Sequence, residues 1–188
     1  VDVEGGVFET FVDEEVTAEA VLASAAVPSL FPGVRLHGHV HWDGLFSQNP
    51  PITDLLGVDA GRKPDEIWVV QVNPQVREET PRTLVEIADR RNELSGNLSL
   101  NQEIRFVERV NDWIREGSLD KEGFSTVEVR RIEIGRGYGH ATKLDRSPSF
   151  LDELIALGEE RAGEFLAGLA QEWSSADGEP DEVPAEDD

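Results

Sequence analysis

The chain contains no cysteine and no methionine, a single tyrosine, and only three lysines: Lys63, Lys121 and Lys143. Without thiols there is no disulfide, no zinc–thiolate site and no cysteine nucleophile, and the redox compartment stays open. No run of about 18 apolar residues occurs, and nothing near Val1 has the basic, apolar, small-residue succession of a signal peptide. The expectation is a soluble, cytoplasmic chain. Because the sequence opens on Val1 and has no methionine, a cut upstream is expected, with any targeting information in the part removed. A Gly-x-Ser-x-Gly pentapeptide is also missing. The nearest approach, Gly123-Phe124-Ser125-Thr126-Val127, lacks the second glycine, so no complete serine elbow lies within these residues.

What the chain has in excess is acid: 39 Asp and Glu against 17 Lys and Arg, a formal charge of -22 over 188 residues. Repulsion of this size works against a compact state unless salt screens it. The acid-rich, lysine-poor composition resembles that of proteins from salt-loving archaea; the plainer alternative is an ordinary acidic protein with a solvated acidic tail. A nucleic-acid backbone is repelled in either case, which excludes nucleic acid as an expected partner. At 20.8 kDa the length suits one core, or a piece of one.

Along the chain, Gly6–Val12 alternates apolar and polar residues and predicts a half-buried strand. Thr17 ahead of Ala18–Ala26 reads as the N-cap of a short helix of small residues, stopped by Pro28, Pro32 and Gly33. Val34–Trp42 reads as one extended segment ending in the turn pair Asp43-Gly44. A short helix is expected over Ile52–Leu56. Glu66–Val72 is apolar on both faces, the pattern of a central strand covered by helices on each side. Thr83–Glu93 and Leu98–Glu116 predict two helices, or one broken at Gly96, with Ile104, Val107, Val110 and Ile114 inward. Val127–Ile134 reads as a partly exposed edge strand, and a last helix over about Ser149–Glu172 should bury Leu151, Leu154, Ile155, Leu157, Ala162, Phe165, Leu166 and Leu169. Residues 173–188 read as an acidic, disordered tail. Strands alternating with helices predict an α/β layer fold.

The most specific stretch is Ala23–Ile52: Ala23, Ser24, Ala25, Ala26, Pro28, Phe31 and Pro32, then a strand, then Asp43-Gly44, then Asn49-Pro50-Pro51. In this order the residues resemble the signature of the patatin-like phospholipases, with Leu45 departing from the Gly or Ala often found there. The likeness covers most of Val1 to about Glu172, taking in Asn73-Pro74, RNELSGNLSLNQEI and KLDRSPSF. It implies the C-terminal part of a three-layer α/β/α patatin-like fold, 1–172, and a serine-dependent lipid acyl hydrolase that uses a Ser-Asp dyad and no cofactor. The implied partner is a lipid ester at a membrane or micelle surface; nothing fixes the oligomeric state. Asp43 is then the general base, for a carboxylate in hydrogen-bond reach of a serine accepts its proton as Oγ attacks the ester carbonyl. Gly44, Asn49 and Pro50 belong to the active-site loop. The serine elbow and the Gly-rich oxyanion loop are expected upstream of Val1, so the chain alone should be inactive.

Other readings accompany this one. Asp43 is, by residue type alone, a turn aspartate capping its own Asp-Gly turn. A non-catalytic patatin-like scaffold or interaction domain is the alternative at the level of function. His37, His39 and His41 alternate, which in one extended segment puts three imidazoles on one face; a solvated hairpin face is the plainer reading than a metal site, and no metal is expected. Ser24, flanked by alanines, reads as a helix-packing hydroxyl. Gly135–Gly139 reads as a flexible loop rather than a dinucleotide fingerprint. Arg130 and Arg131 suit salt bridges to carboxylates better than a lipid phosphate.

Overall fold

The computed structural model describes residues 1–28, 30–56, 63–119, 124–135 and 138–176. It is a mixed α/β structure. Helix α1 covers Ala18–Ser24, and Thr17 caps it by accepting the Ala20 N–H, as the sequence predicted. The expected strand over Gly6–Val12 does not form: no ladder pairs it, and a 3-10 turn over Asp13–Glu15 follows. What holds this segment is side-chain chemistry, Glu9 reaching His37 and His41 and Thr10 Oγ1 donating to Asp54.

The single extended segment expected over Val34–Trp42 is instead a hairpin, β1 (Val34–Leu36) pairing antiparallel with β2 (His39–His41). His37 and Gly38 both have positive φ, 50° and 90°, which is the backbone of a two-residue hairpin turn. Alternation alone does not report such a turn, because His-Gly is an unusual pair to make one. Residues 1–3 run along the other side of β2, Val3 N–H donating to Val40 O and Trp42 N–H to Val1 O.

After α2 (Ile52–Leu56), strand β3 (Glu66–Gln71) pairs in parallel with β4 (Glu128–Glu133), from Glu66 opposite Glu128 to Gln71 opposite Glu133. Between them runs α3 (Leu84–Arg115), one unbroken helix rather than two. Its start is a capping box in which Thr83 accepts the Glu86 N–H and Glu86 accepts the Thr83 N–H. Gly96 sits inside it without breaking it, because its missing side chain makes room for a neighbour. The core lies between α3 and one sheet face: Leu100, Ile104 and Val107 meet Ile67, Val69 and Val127, with Ile52 of α2 at the edge. Val110 is only half-buried. Asn111 pins the approach to β4 with both amide atoms, donating to Val127 O and accepting from Val127 N–H.

The other face of β3 departs from expectation. Val70 is 69% exposed, Val72 is exposed as well, and the strand ends at Gln71. Trp68 on that side packs edge-on against Phe165 of α4 (Pro148–Ala176) at 5.0 Å. Helix α4 thus covers the β4 side of this face, and Arg130 reaches Glu66, Glu128 and Glu172, the ion pairing that the sequence favoured. Leu169 is buried and Leu154, Leu157, Ala162 and Phe165 are half-buried, whereas Leu151, Ile155 and Leu166 are exposed, contrary to expectation. Two strands are too narrow a sheet to cover the whole apolar stripe of a helix this long. The helix also passes Trp173 and ends at Ala176, so the expected tail does not begin at 173; residues 177–188 lie outside the described residues. No helix among the described residues is long and apolar enough to cross a membrane.

A charge of -22 makes the fold salt-dependent. The melting temperature should rise as KCl approaches molar levels, where the Debye length falls to about 3 Å. Melts at increasing KCl check this, and a flat or falling series counts against the halophile-like reading.

Candidate active site

The buried stripe of α3 changes character along its length. From Leu100 to Ile114 it is mainly apolar, but in the same helical register toward the N-terminus it continues as Asp89, Glu93, Gly96 and Asn97, all buried. Because α3 runs back along the sheet, this polar half stands at the carboxyl ends of the strands, the end at which open α/β sheets place their sites. There it gathers the loops. Asn97 Nδ2 donates to Pro74 O, just past β3. Arg77 donates to both Asp89 and Glu93, Arg90 to Glu93 and to the carbonyls of Pro74 and Gln75, and Lys143, beyond β4, to Asp89. Burial alone pushes the Asp89 carboxyl up; hydrogen bonds from Lys143 and Arg77 more than reverse this and hold it below the usual range.

Asp43 comes to the same region on a 3-10 turn, Gly44–Phe46, that seats on α3 at Gly96. A Cβ at Gly96 would lie 2.5 Å from Leu45 Cδ1 and 2.7 Å from Asn49 Nδ2, so a bare backbone is what lets the turn come this close. One helical turn further, Ser99 Oγ accepts the Asn49 N–H at 3.0 Å and Glu103 accepts from Thr53. Of the stretch joined in the sequence reading, Asp43, Gly44, Asn49 and Pro50, the turn at Gly44 and the Asn49 backbone and side chain are held on α3. The Asp43 N–H donates to Ala26 O at 3.1 Å, tying it to the end of α1. Its Oδ1 accepts the Leu45 N–H at 2.8 Å, the cap expected of a turn aspartate. The second carboxylate oxygen has no protein donor among the described residues. Burial raises the Asp43 carboxyl above the ordinary aspartate value, with the Leu45 bond opposing the shift.

A cleft of about 320 Å³ opens next to the Asp43 turn, walled by residues 8–11, α1, Trp42, Gly44 and Gln48; the chain neighbours of Asp43, Trp42 and Gly44, line it, while Asp43 itself does not. Ser24 lies on its rim in the last turn of α1, exposed and without a base bonded to it, and Ser125 is exposed in coil. Gly123 of the incomplete pentapeptide and Arg136 and Gly137 of the Gly-rich loop lie outside the described residues; His140 opens a 3-10 turn. Arg131 donates to Gln71 and Asn101, an inward structural contact.

The three histidines do not lie on one extended segment. His37 is in the hairpin turn, His39 is exposed beside Asp2 at 3.2 Å, and His41 is 2% exposed with Nε2 at 2.6 Å from Glu9. The hairpin turn separates His37 from the other two, which stay two apart on β2, and His37 and His41 nonetheless converge on Glu9. Ligand atoms of Asp2, Glu4 and His39 lie within 4.8 Å of one another on the surface, a different grouping from the three imidazoles.

The ion network on α3 is what sequence reasoning missed. Its signal was present: Asp89, Glu93 and Asn97 repeat at helical spacing in register with Leu100 and Ile104. No protein-family model matches the chain, and no curated protein matches it.

Proposed function

We propose that the chain is the C-terminal part of a patatin-like lipid acyl hydrolase, with Asp43 as general base of a Ser-Asp dyad whose serine lies in chain preceding Val1. The observation that supports this most is the state of Asp43. Its carboxyl is half-buried, raised by that burial above the ordinary aspartate value, fixed through one oxygen and carried on a turn whose Trp42 and Gly44 line a mainly apolar cleft. The ordered residues from Ala23 to Pro51 add the second support, for they bring α1, the Asp43 turn and the Asn49-Pro50 loop together. In the reaction the serine hydroxyl gives its proton to Asp43 as Oγ attacks the ester carbonyl, Asp43 passes that proton to the departing alcohol, and the regenerated carboxylate deprotonates the water that hydrolyses the acyl-serine to free acid and serine. The exposed face of β3 fits a covering helical layer, and the two-stranded β3–β4 sheet fits further strands, in a three-layer α/β/α arrangement completed by the preceding chain.

A non-catalytic scaffold is the second reading, favoured by the Leu45 cap bond, which a purely structural aspartate also makes. Assay of p-nitrophenyl esters tests the proposal. The full-length protein should hydrolyse them. Residues 1–188 alone should not, and with Val70 and Val72 in water they should self-associate or bind a dye that reports apolar surface. Hydrolysis by a dye-negative monomer of the 188-residue chain would move the nucleophile inside it.

A further inference from the structure

Where residues 1–5 run beside the β1–β2 hairpin, two carboxylates and an imidazole converge, and we propose that Asp2, Glu4 and His39 bind one divalent transition-metal ion of the zinc kind. This site is independent of the hydrolase reading. The three ligand atoms, two carboxylate oxygens and one imidazole nitrogen, lie within 4.8 Å of one another. Asp2 Oδ2 and His39 Nδ1 are 3.2 Å apart. Ligands about 2.0–2.2 Å from a tetrahedral ion stand roughly 3.4 Å from each other, so small side-chain rotations complete the set.

The backbone builds this arrangement. Asp2 is bridged antiparallel to His41 and the Val3 N–H donates to Val40 O, a register that brings Glu4 level with His39. Each carboxylate is then fixed through one oxygen. Asp2 Oδ1 accepts the Glu4 and Gly5 N–H groups at 2.9 and 3.0 Å, and Glu4 Oε2 accepts the Val40 N–H at 2.7 Å. Asp2 Oδ2 is left facing the imidazole, and Glu4 Oε1 has no protein donor among the described residues. The Gly5 N–H bond is the main cause holding the Asp2 carboxyl below the usual aspartate value, and so in its ligating, ionised form. Gly5 supplies a second sign of a space kept open. A Cβ there would lie 2.5 Å from Asp2 Oδ2, the oxygen that faces His39, so a side chain at this position would close the cluster. Positive φ is not the reason for this glycine, since the turn takes that conformation at Gly6, with φ 66°.

Two carboxylates match the charge of a dication, and the imidazole selects zinc-like ions over magnesium and calcium, which prefer oxygen alone. Three protein ligands leave a fourth position for water. Because Asp2 and Glu4 stand on one segment and His39 on another, the ion clips residues 1–5 to the hairpin whose last strand leads through Trp42 to Asp43.

Calorimetric titration of the EDTA-treated full-length protein with zinc chloride tests this, in about 1 M KCl so that diffuse attraction to the acidic surface is screened. His39 and Glu4 are exposed, so His39→Ala and Glu4→Gln should fold, and each should weaken zinc binding by roughly tenfold or more. His37→Asn, at an imidazole outside the cluster whose positive φ asparagine tolerates, should leave binding unchanged. Zinc at about a hundredfold excess over Kd should raise the wild-type melting temperature by roughly 5 °C, and magnesium at the same concentration should not. No zinc binding, binding that His39→Ala leaves intact or that His37→Asn weakens equally, magnesium binding of similar strength, or a melting temperature that zinc does not move would each overturn the inference.

Discussion

Asp43→Asn in the full-length protein is expected to lower ester hydrolysis by about 10²- to 10⁴-fold while leaving the melting temperature nearly unchanged, which is the size of effect a positioned general base supplies. Asparagine keeps an oxygen where Oδ1 accepts the Leu45 N–H at 2.8 Å, so the cap and the turn survive. What it loses is the ability to take a proton. A structural aspartate would therefore tolerate the change in both assays, and a base in stability alone. The same carboxyl sets the acid side of the pH profile. Since burial raises its pKa, and the base must be ionised to act, kcat/KM should fall on acidification at a higher pH than an ordinary aspartate would give. Wild-type turnover by the variant would remove Asp43 from the mechanism.

Arg77→Ala should be the most destabilising single change among the charged residues. Arg77 donates to Asp89 and Glu93, which are 3% and 1% exposed, so its loss strands two buried carboxylates on Arg90 and Lys143. Breaking a buried ion pair from one side costs about 3–5 kcal/mol. Arg77 itself keeps 21% of its side chain in water and the other cations remain, which puts the expected loss near 3 kcal/mol. For a chain of this length that lowers the melting temperature by roughly 6–12 °C. The loop from Pro74 to Arg77 should also loosen, since Arg77 and Arg90 both tie it to α3. Thermal melts decide the matter, and a shift within about 1 °C of wild type would mean the network contributes nothing net.

The elements most legible in the sequence were those whose signals are local. Thr17 and Thr83 mark their helices by residue type and spacing, β3 shows as a short apolar run and β4 as an alternating one. The failures share a cause: each turned on something several residues or a whole element away. Gly6–Val12 alternates like a strand but has no partner backbone, so it remains coil. His37-Gly38 reversed a segment that looked continuous. Gly96 looked like a break and is a seat for Leu45 and Asn49, a role set by the Asp43 turn some fifty positions earlier. At the site, an ordered motif singled out Asp43, Gly44, Asn49 and Pro50, and the structure seats Leu45 and Asn49 of that stretch on α3. The buried Asp89 and Glu93 were not, because charged residues on a helix ordinarily mark its wet side.

The central claim is that Asp43 serves a serine carried by chain before Val1. Treating the full-length protein with a serine-directed fluorophosphonate, and mapping the adduct by peptide mass spectrometry, tests it most directly. The expected result is one labelled serine, in a Gly-x-Ser-x-Gly sequence upstream of Val1, labelled far more slowly in Asp43→Asn. Label on Ser24 or Ser125, or an Asp43→Asn protein labelled at the wild-type rate, would contradict it.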